Sequence, residues 1–332
     1  MTDARVRQSK PPAHPGEGSL WAIVLAGGQG VRLRALVRHV CGDERPKQYV
    51  PLLGSSSLLQ QTIDRLSPLI PAERTVLVTM RSQVAYLSGV LGELRHSQVL
   101  AQPDDRGTAA AILLGAHWVL ARDPGATLIV APSDHLILDE ALFVRHVAAV
   151  GRFVREHPEW MTLLGARPTE PECEYGWIEP GPRVAWTVDG PLHRVFRFFE
   201  KPSPEHASSL FANGCLWNTF VLVAAARTLV AAGEECVPEV ADRLGRLATF
   251  FGTADEPWAM RQAYALAPRA NFSRSVLERC PRALAVSTLP AVTWCDLGSP
   301  GRVVKTLTRL GISPPWLSSL PHPPLTLADD AR

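Results

Sequence analysis

Apolar positions in this chain alternate between two rhythms. Residues 20–26, 75–79, 127–131 and 161–165 are short, almost unbroken apolar or β-branched runs bounded by turn residues, the pattern of strands buried on both faces. Between them the period lengthens to three or four. Ser57-Leu-Leu-Gln60 has the form of a capping box and predicts a helix to Leu66, with Leu59, Ile63 and Leu66 on one face. A second helix is expected from Thr108 through a run of alanines to Ala121. A third starts near Asp139, with Phe143, Val147, Val150 and Val154 as its buried stripe. Strand alternating with helix predicts an α/β fold, a largely parallel sheet with helices on both faces.

The section from residue 175 to 223 breaks this rhythm. Segments 176–179, 192–200 and 219–223 read as strands with little helix between them, so antiparallel additions, or a lid over the sheet, are expected here. Further on, residues 303–310 read as a helix stopped by Gly311, and the stretch from Pro314 to Arg332 is Pro-rich and expected to pack loosely. The first 19 residues are polar and rich in Pro and Gly. They read as a disordered leader without the apolar core of a secretory signal. No apolar run reaches the roughly 20 residues that span a bilayer. A cytoplasmic protein without membrane contact is the expectation.

Composition adds three points. With 46% hydrophobic residues the chain can bury a core, and a formal charge of +2 supplies no default reason to bind nucleic acid. Six scattered cysteines without a CxxC pair indicate neither a zinc site nor a disulfide framework, and read as buried or idle thiols. Only four of the 34 basic residues are lysine: Lys10, Lys47, Lys201 and Lys305. Two of these stand inside short motifs, where a compact charge on a flexible stem suits contact with a phosphate.

Three distinctive sequences, LAGGQGVRL (25–33), APSDH (131–135) and FEKP (199–202), each follow a predicted strand at its carboxyl end, where ligands collect in open α/β sheets. In the first, Ala26, Gly27, Gly28 and Gly30 allow the backbone close to an anion and expose amides to it, and Arg32 adds charge. A Walker A loop would need Gly-Lys-Ser/Thr at its end, and a dinucleotide fingerprint would need Gly at Leu33. An ordinary strand-to-helix turn is the alternative. Asp134 and Asp296 are lone carboxylates on distant segments, a donor set that suits Mg²⁺ completed by phosphate and water, although Asp134 alone also reads as a helix N-cap. His135 reads as structural, having no partner for a transition-metal site. Lys47 and the Glu200-Lys201 pair would, in isolation, be solvated surface charges. Phe196, Phe198 and Phe199 read as core.

In combination these segments resemble a known family. LAGGQGVRL followed by RPKQYVPLLGSSSLLQQTIDR is similar to the opening of mannose-1-phosphate guanylyltransferases, within the wider sugar-phosphate nucleotidyltransferase family. QPDDRGTAAAI, APSDH, YGWIEPG, VFRFFEKP, LWNTFVLV and WCDLGS continue the resemblance in order across residues 21–299. It implies a Rossmann-like, three-layer α/β/α nucleotidyltransferase fold (GT-A-like), with a mostly parallel mixed sheet and a small antiparallel sugar-binding addition. The implied domain covers residues 20–299. Residues 300–332 would hold a short helix and the Pro-rich tail, with no span for the C-terminal β-helix of many relatives. The expected assembly is a monomer or homodimer.

The resemblance also implies roles. Ala26, Gly27, Gly28, Gly30, Gln102, Gly107 and Thr108 would bind nucleotide, and Gly176, Glu179, Glu200, Lys201 and Asn218 the sugar phosphate. Asp134 and Asp296 would hold Mg²⁺. Arg32, Lys47, Asp134, Lys201 and Asp296 would carry catalysis. The partners are a nucleoside triphosphate, GTP by closest resemblance, and a sugar 1-phosphate, mannose 1-phosphate, giving GDP-mannose and pyrophosphate. A sugar phosphate is already anionic, so in-line attack on the α-phosphorus needs positioning and charge neutralisation rather than a general base. The sequence departs from the family pattern at Val31 in the glycine loop, at Arg34-Ala35, at Ser273 where an acid is expected, and at Gly298-Ser299-Pro300. Alternatives are a uridylyl- or thymidylyltransferase acting on glucose 1-phosphate, or a catalytically silent nucleotide-sugar-binding regulator. A related glycosyltransferase would want an Asp-x-Asp motif after a strand, and none is suitably placed.

Overall fold

The structure, a computed structural model, describes residues 19–89 and 98–320. The expected leader, apart from Ser19, and the end of the Pro-rich tail lie outside the described residues. Strands β1 (Leu20–Leu25), β2 (Thr75–Met80), β3 (Val99–Gln102) and β4 (Thr127–Pro132) pair in parallel. Their side chains alternate between two layers. Ile23, Val76, Val78, Leu128 and Val130 pack to one side, and Ala22, Val24, Leu77, Ile129 and Ala131 to the other. Burial on both faces is why these strands read as continuous apolar runs.

The first layer is covered by α3 (Gly107–Leu120), α6 (Ala226–Cys236), α7 (Pro238–Ala248) and α8 (Glu256–Leu266). The second is covered by α2 (Leu58–Leu66) and α4 (Glu140–Glu156). Ser57 caps α2 as expected, its hydroxyl accepting the Gln60 N–H at 3.2 Å. The reciprocal half of the box is not made, because the Gln60 side chain instead donates to Asp64 at 2.7 Å.

Among the described residues the main sheet has nine strands in the order β3-β2-β1-β4-β9-β6-β10-β8-β7. The added members are β6 (Met161–Ala166), β7 (Gly176–Thr187), β8 (Gly190–Glu200), β9 (Leu216–Ala225) and β10 (Leu284–Thr288). Only β9 and β8 run against the other strands, so the sheet is mixed and mostly parallel. The antiparallel addition expected from the middle section is the β7–β8 hairpin at one edge, and both its strands are longer than expected. Strand β9 differs from that expectation: it lies inside the sheet between β4 and β6. At the hairpin Phe198 is buried and Phe199 half-buried, but Phe196 is 55% exposed. Phe196 stands on the face of the hairpin opposite the buried Val195 and is open to solvent, which corrects the core reading of Phe196.

A third apolar cluster gathers Leu33, Leu36, Leu52, Leu136, Leu297, Val303, Leu307 and Trp316 around α1 (Arg34–Cys41) and α9 (Pro300–Leu310). Helix α9 starts earlier than expected, on the Ser299 cap, and ends at Gly311 in a left-handed conformation, φ 66°. The Pro-rich segment is not wholly loose. Trp316 is buried, and its indole N–H donates to the Leu52 carbonyl at 3.2 Å. Cys236 and Cys280 bring their sulfurs together between the end of α6 and the chain before β10, and Cys41, Cys173, Cys215 and Cys295 are free thiols. No helix among the described residues is long and apolar enough to cross a membrane.

Candidate active site

A cleft of about 690 Å³ opens at the carboxyl ends of β1, β2 and β4, lined among others by Gly27, Gly28, Gln102, Asp134, Glu200 and Ser273. The three motifs that stood out in the sequence meet on its walls. Its first wall is the glycine loop. Ala26 is buried and still donates to Val78 O at 2.7 Å, after which the chain leaves the sheet. The carbonyls beyond are held from behind. Gln48 Nε2 donates to Ala26 O (2.8 Å) and Gly28 O (2.9 Å), and Gln83 Nε2 to Gly27 O and Gly28 O, both at 3.3 Å. With those carbonyls fixed, the N–H groups of Gly27, Gly28, Gln29 and Gly30 meet no acceptor among the described residues, and such amides suit an anion. Gly30 has φ 60°, and a Cβ there would lie 3.0 Å from the Lys47 amide. The loop can therefore rest on Pro46-Lys47 only with glycine at this position.

Lys47 is buried, and its ammonium group joins two distant segments. Nζ donates to Asp296 O at 2.6 Å and lies 3.2 Å from Asp134 Oδ2. The register of a small antiparallel ribbon explains the meeting. β5 (Leu136–Ile137) follows Asp134, β11 (Trp294–Cys295) precedes Asp296, and Leu136 pairs with Cys295, so both aspartates emerge at one end. Asp134 faces the cleft. Asp296 does not line it: its Oδ1 accepts from Tyr175 OH (2.8 Å), Gly298 N (3.0 Å) and Arg302 Nη1 (2.8 Å). Burial pushes the Asp296 carboxyl upward, but Arg302, His135, Lys47 and the Tyr175 hydrogen bond together outweigh it and hold it below the usual carboxylate range. Burial, then Asp296, pushes the Tyr175 phenol well up, so it stays a donor. His135 is pushed down by burial and accepts from Trp294 Nε1 at 3.3 Å, which is a structural setting.

The opposite wall comes from the hairpin. Gly176 faces Glu200 across β7 and β8, and a Cβ there would lie 3.0 Å from Glu200 Oε2 and 2.9 Å from the Phe198 ring. Burial pushes the Glu200 carboxyl up, while Lys201 and Ser273 pull it the other way. Lys201 has a left-handed backbone, φ 53°, and its N–H donates to Tyr175 O at 3.2 Å. Arg32 and Lys201 are outside the cleft lining, and both contact Glu174. Asn218 adjoins Gly176, where an added Cβ would lie 3.2 Å from the Asn218 Cβ, and its Oδ1 accepts the Phe220 N–H at 3.1 Å. Glu179 lies further along β7, opposite Arg197. Neither is in the cleft lining, whereas Phe220 is.

On the far side Gln102 is buried beneath Gly27, with its Oε1 accepting from Tyr264 OH at 3.0 Å. Gly107 has φ 81°, and a Cβ would collide with the Ala270 carbonyl oxygen. That close approach lets Ala109 N reach Ala270 O (3.1 Å) and Ala270 N reach Arg106 O (3.0 Å), while Thr108 Oγ1 accepts Phe272 N–H at 2.8 Å. Segment 106–109 is thereby stitched to 270–272. Ser273, where the resemblance expects an acid, is buried and lines the cleft near Glu200. Among the described residues no group of three or more His, Cys, Asp or Glu side chains is placed to hold a metal. Asp134 and Asp296 are thus two carboxylates without a third. Sequence reasoning missed Tyr175, Gln48, Arg302, Gln83 and Tyr264 as supports. Tyr175 stood in a quoted motif and Gln48 in PKQ, but nothing in the sequence marked the others.

The sequence and the fold both resemble those of known proteins. The model of the family described as nucleotidyl transferase matches residues 21–308. The xanthan biosynthesis protein XanB of Xanthomonas campestris is 31% identical over 282 residues, covering 83% of this chain and 57% of that protein. A mannose-1-phosphate guanylyltransferase of Sinorhizobium fredii is 30% identical over 289 residues, covering 83% and 52%. The chain thus spans little more than half the length of these curated relatives. A crystal structure from Thermus thermophilus, described as a mannose-1-phosphate geranyltransferase, superposes with a TM-score of 0.75 at 32% identity, covering 89% of this chain and 80% of that one. The inositol-1-phosphate CTP transferase of T. maritima, at 14% identity and a TM-score of 0.54, covers 89% and 95% and shares the fold.

Proposed function

The chain belongs to the nucleotidyl transferase family, and on that premise we propose that it transfers GMP from GTP to mannose 1-phosphate, giving GDP-mannose and pyrophosphate. The observation that carries the reading is Lys47, which ties Asp134 to the Asp296 segment directly below the glycine loop. The choice of substrates is supported by the relatives described as mannose-1-phosphate guanylyltransferases.

In this reading the glycine-loop amides and Arg32 take the β- and γ-phosphates, and Lys47 neutralises charge where pyrophosphate develops. Gln102, oriented by Tyr264, faces the base. Lys201 takes the phosphate of the sugar, and Glu200 accepts hydrogen bonds from sugar hydroxyls. No side chain needs to remove a proton, since the attacking phosphate is already an anion; the protein aligns the reactants and steadies charge. The donors suit the Mg²⁺ that the family resemblance implies. Asp134 offers its carboxylate to the cleft, Asp296 Oδ2 accepts no hydrogen bond among the described residues, and hard oxygen ligands completed by phosphate and water are what this ion prefers. When bound there it would neutralise charge on the reacting phosphates.

The test is a purified-protein screen of GTP, UTP, dTTP, ATP and CTP against mannose, glucose and fucose 1-phosphates, reading pyrophosphate release with and without Mg²⁺. GTP with mannose 1-phosphate should be fastest. Release only with UTP and glucose 1-phosphate would replace this choice of substrates. Nucleotide-sugar binding without turnover of any pair would replace the enzyme with a binding protein.

A further inference from the structure

One ionic arrangement, built on residues close in the chain to Gln29 and Glu200 of the cleft lining, has no place in the transfer reaction as described. A single oxygen, Glu174 Oε2, lies 2.9 Å from Arg32 Nη1 and 3.3 Å from Lys201 Nζ. The two cations approach from opposite walls, Arg32 from the turn after the glycine loop and Lys201 from the end of β8. Lys201 is anchored through its own N–H to the carbonyl of Tyr175, the neighbour of Glu174, so one short segment sets both the acid and one of its partners. All three side chains are between 44% and 48% exposed. Ion pairs this exposed are weak and are readily displaced by a stronger anion.

We propose that Glu174 is a stand-in anion, holding in the free enzyme the seat between Arg32 and Lys201 that the substrate phosphates later take. The proposal rests on the reading of these two residues as phosphate-binding. Because one carboxylate occupies both cations, the first phosphate to arrive displaces it from both. The second phosphate then meets a cation already released. Glu174 therefore adds a favourable coupling between the two phosphate sites, and by linkage the coupling is the same whichever ligand binds first. A carboxylate that only braced the two cations would instead make each site weaker when removed.

The probes are inorganic pyrophosphate and mannose 1-phosphate, a pair that cannot react with each other, titrated calorimetrically in Mg²⁺ buffer, each alone and each with the other saturating. Glu174→Gln should bind each probe alone about two- to fivefold more tightly than the wild type. The coupling factor between the probes should become less favourable by a similar ratio. Glu174→Asp keeps the charge but shortens the reach, and should show the same loss of coupling. Unchanged or weaker affinity in both variants, with thermal melts like the wild type, would overturn the proposal. If the wild type binds both probes yet turns over no substrate pair, the transfer reading falls while the titrations still decide the role of Glu174.

Discussion

Lys47 illustrates how one side chain can matter to both fold and chemistry. It is buried, yet its charge is matched by a carboxylate and by backbone oxygens. Lys47→Met keeps the stem and removes the charge, and kcat should fall by about 10²–10³-fold, with circular dichroism reporting an intact fold. Glu200 gives a pH prediction. Burial holds its carboxyl above the ordinary glutamate value, so it takes up a proton earlier on acidification than a surface glutamate would. A raised carboxylate makes the fold more stable as pH falls through that interval, because the folded form binds the extra proton. kcat/KM for the sugar phosphate should decline there without unfolding, and Glu200→Gln should lose that limb and be about tenfold poorer at neutral pH. Lys47 and Lys201 were legible because lysine is scarce here and each sits in a motif. Arg302 was not: in a chain that uses arginine almost everywhere, nothing local sets it apart, and its importance comes from a contact made by folding.

At the scale of elements, the seam between segments 106–109 and 270–272 depends on one glycine. Gly107→Ala faces both a left-handed φ and the Ala270 carbonyl, and should cost more than about 1 kcal/mol in urea unfolding while raising KM for the nucleotide. The four central strands were readable because two-sided burial leaves apolar runs. Helices α6, α7 and α8, together with α5 (Pro204–Ala212), escaped the sequence reading. α6, α7 and α8 have no side-chain N-cap hydrogen bond, and α6 packs through Ala226, Ala232 and Gly233 as much as through larger residues, so neither end nor stripe stands out. β7 was under-read because its outer half is an exposed edge, interrupted by irregular pairing near Pro180 and Arg183.

For the whole molecule, the part-buried ionic cluster of Asp296, Arg302 and Glu172, with the buried Tyr175, joins the third apolar cluster to the hairpin. Arg302→Met leaves the part-buried Asp296 carboxylate only Tyr175 and Gly298 as donors and should cost about 1–3 kcal/mol, measured by urea unfolding at pH 7. Asp296 is held below its ordinary value. Its contribution is therefore complete above the usual carboxylate range and is lost as pH falls towards the depressed value. The deficit of the variant should narrow on acidification. The position of β9 within the sheet was not legible, because strand order depends on which elements meet in space rather than on local pattern. The Asp134–Asp296 encounter was visible only as two motifs, since its cause is the register of β5 and β11. That pairing has a consequence during synthesis. A ribosome-bound chain that has emerged only as far as α8 already carries Asp134 but not its counterpart, so it should remain inert, and catalysis should begin only once the last strand of the ribbon has left the exit tunnel.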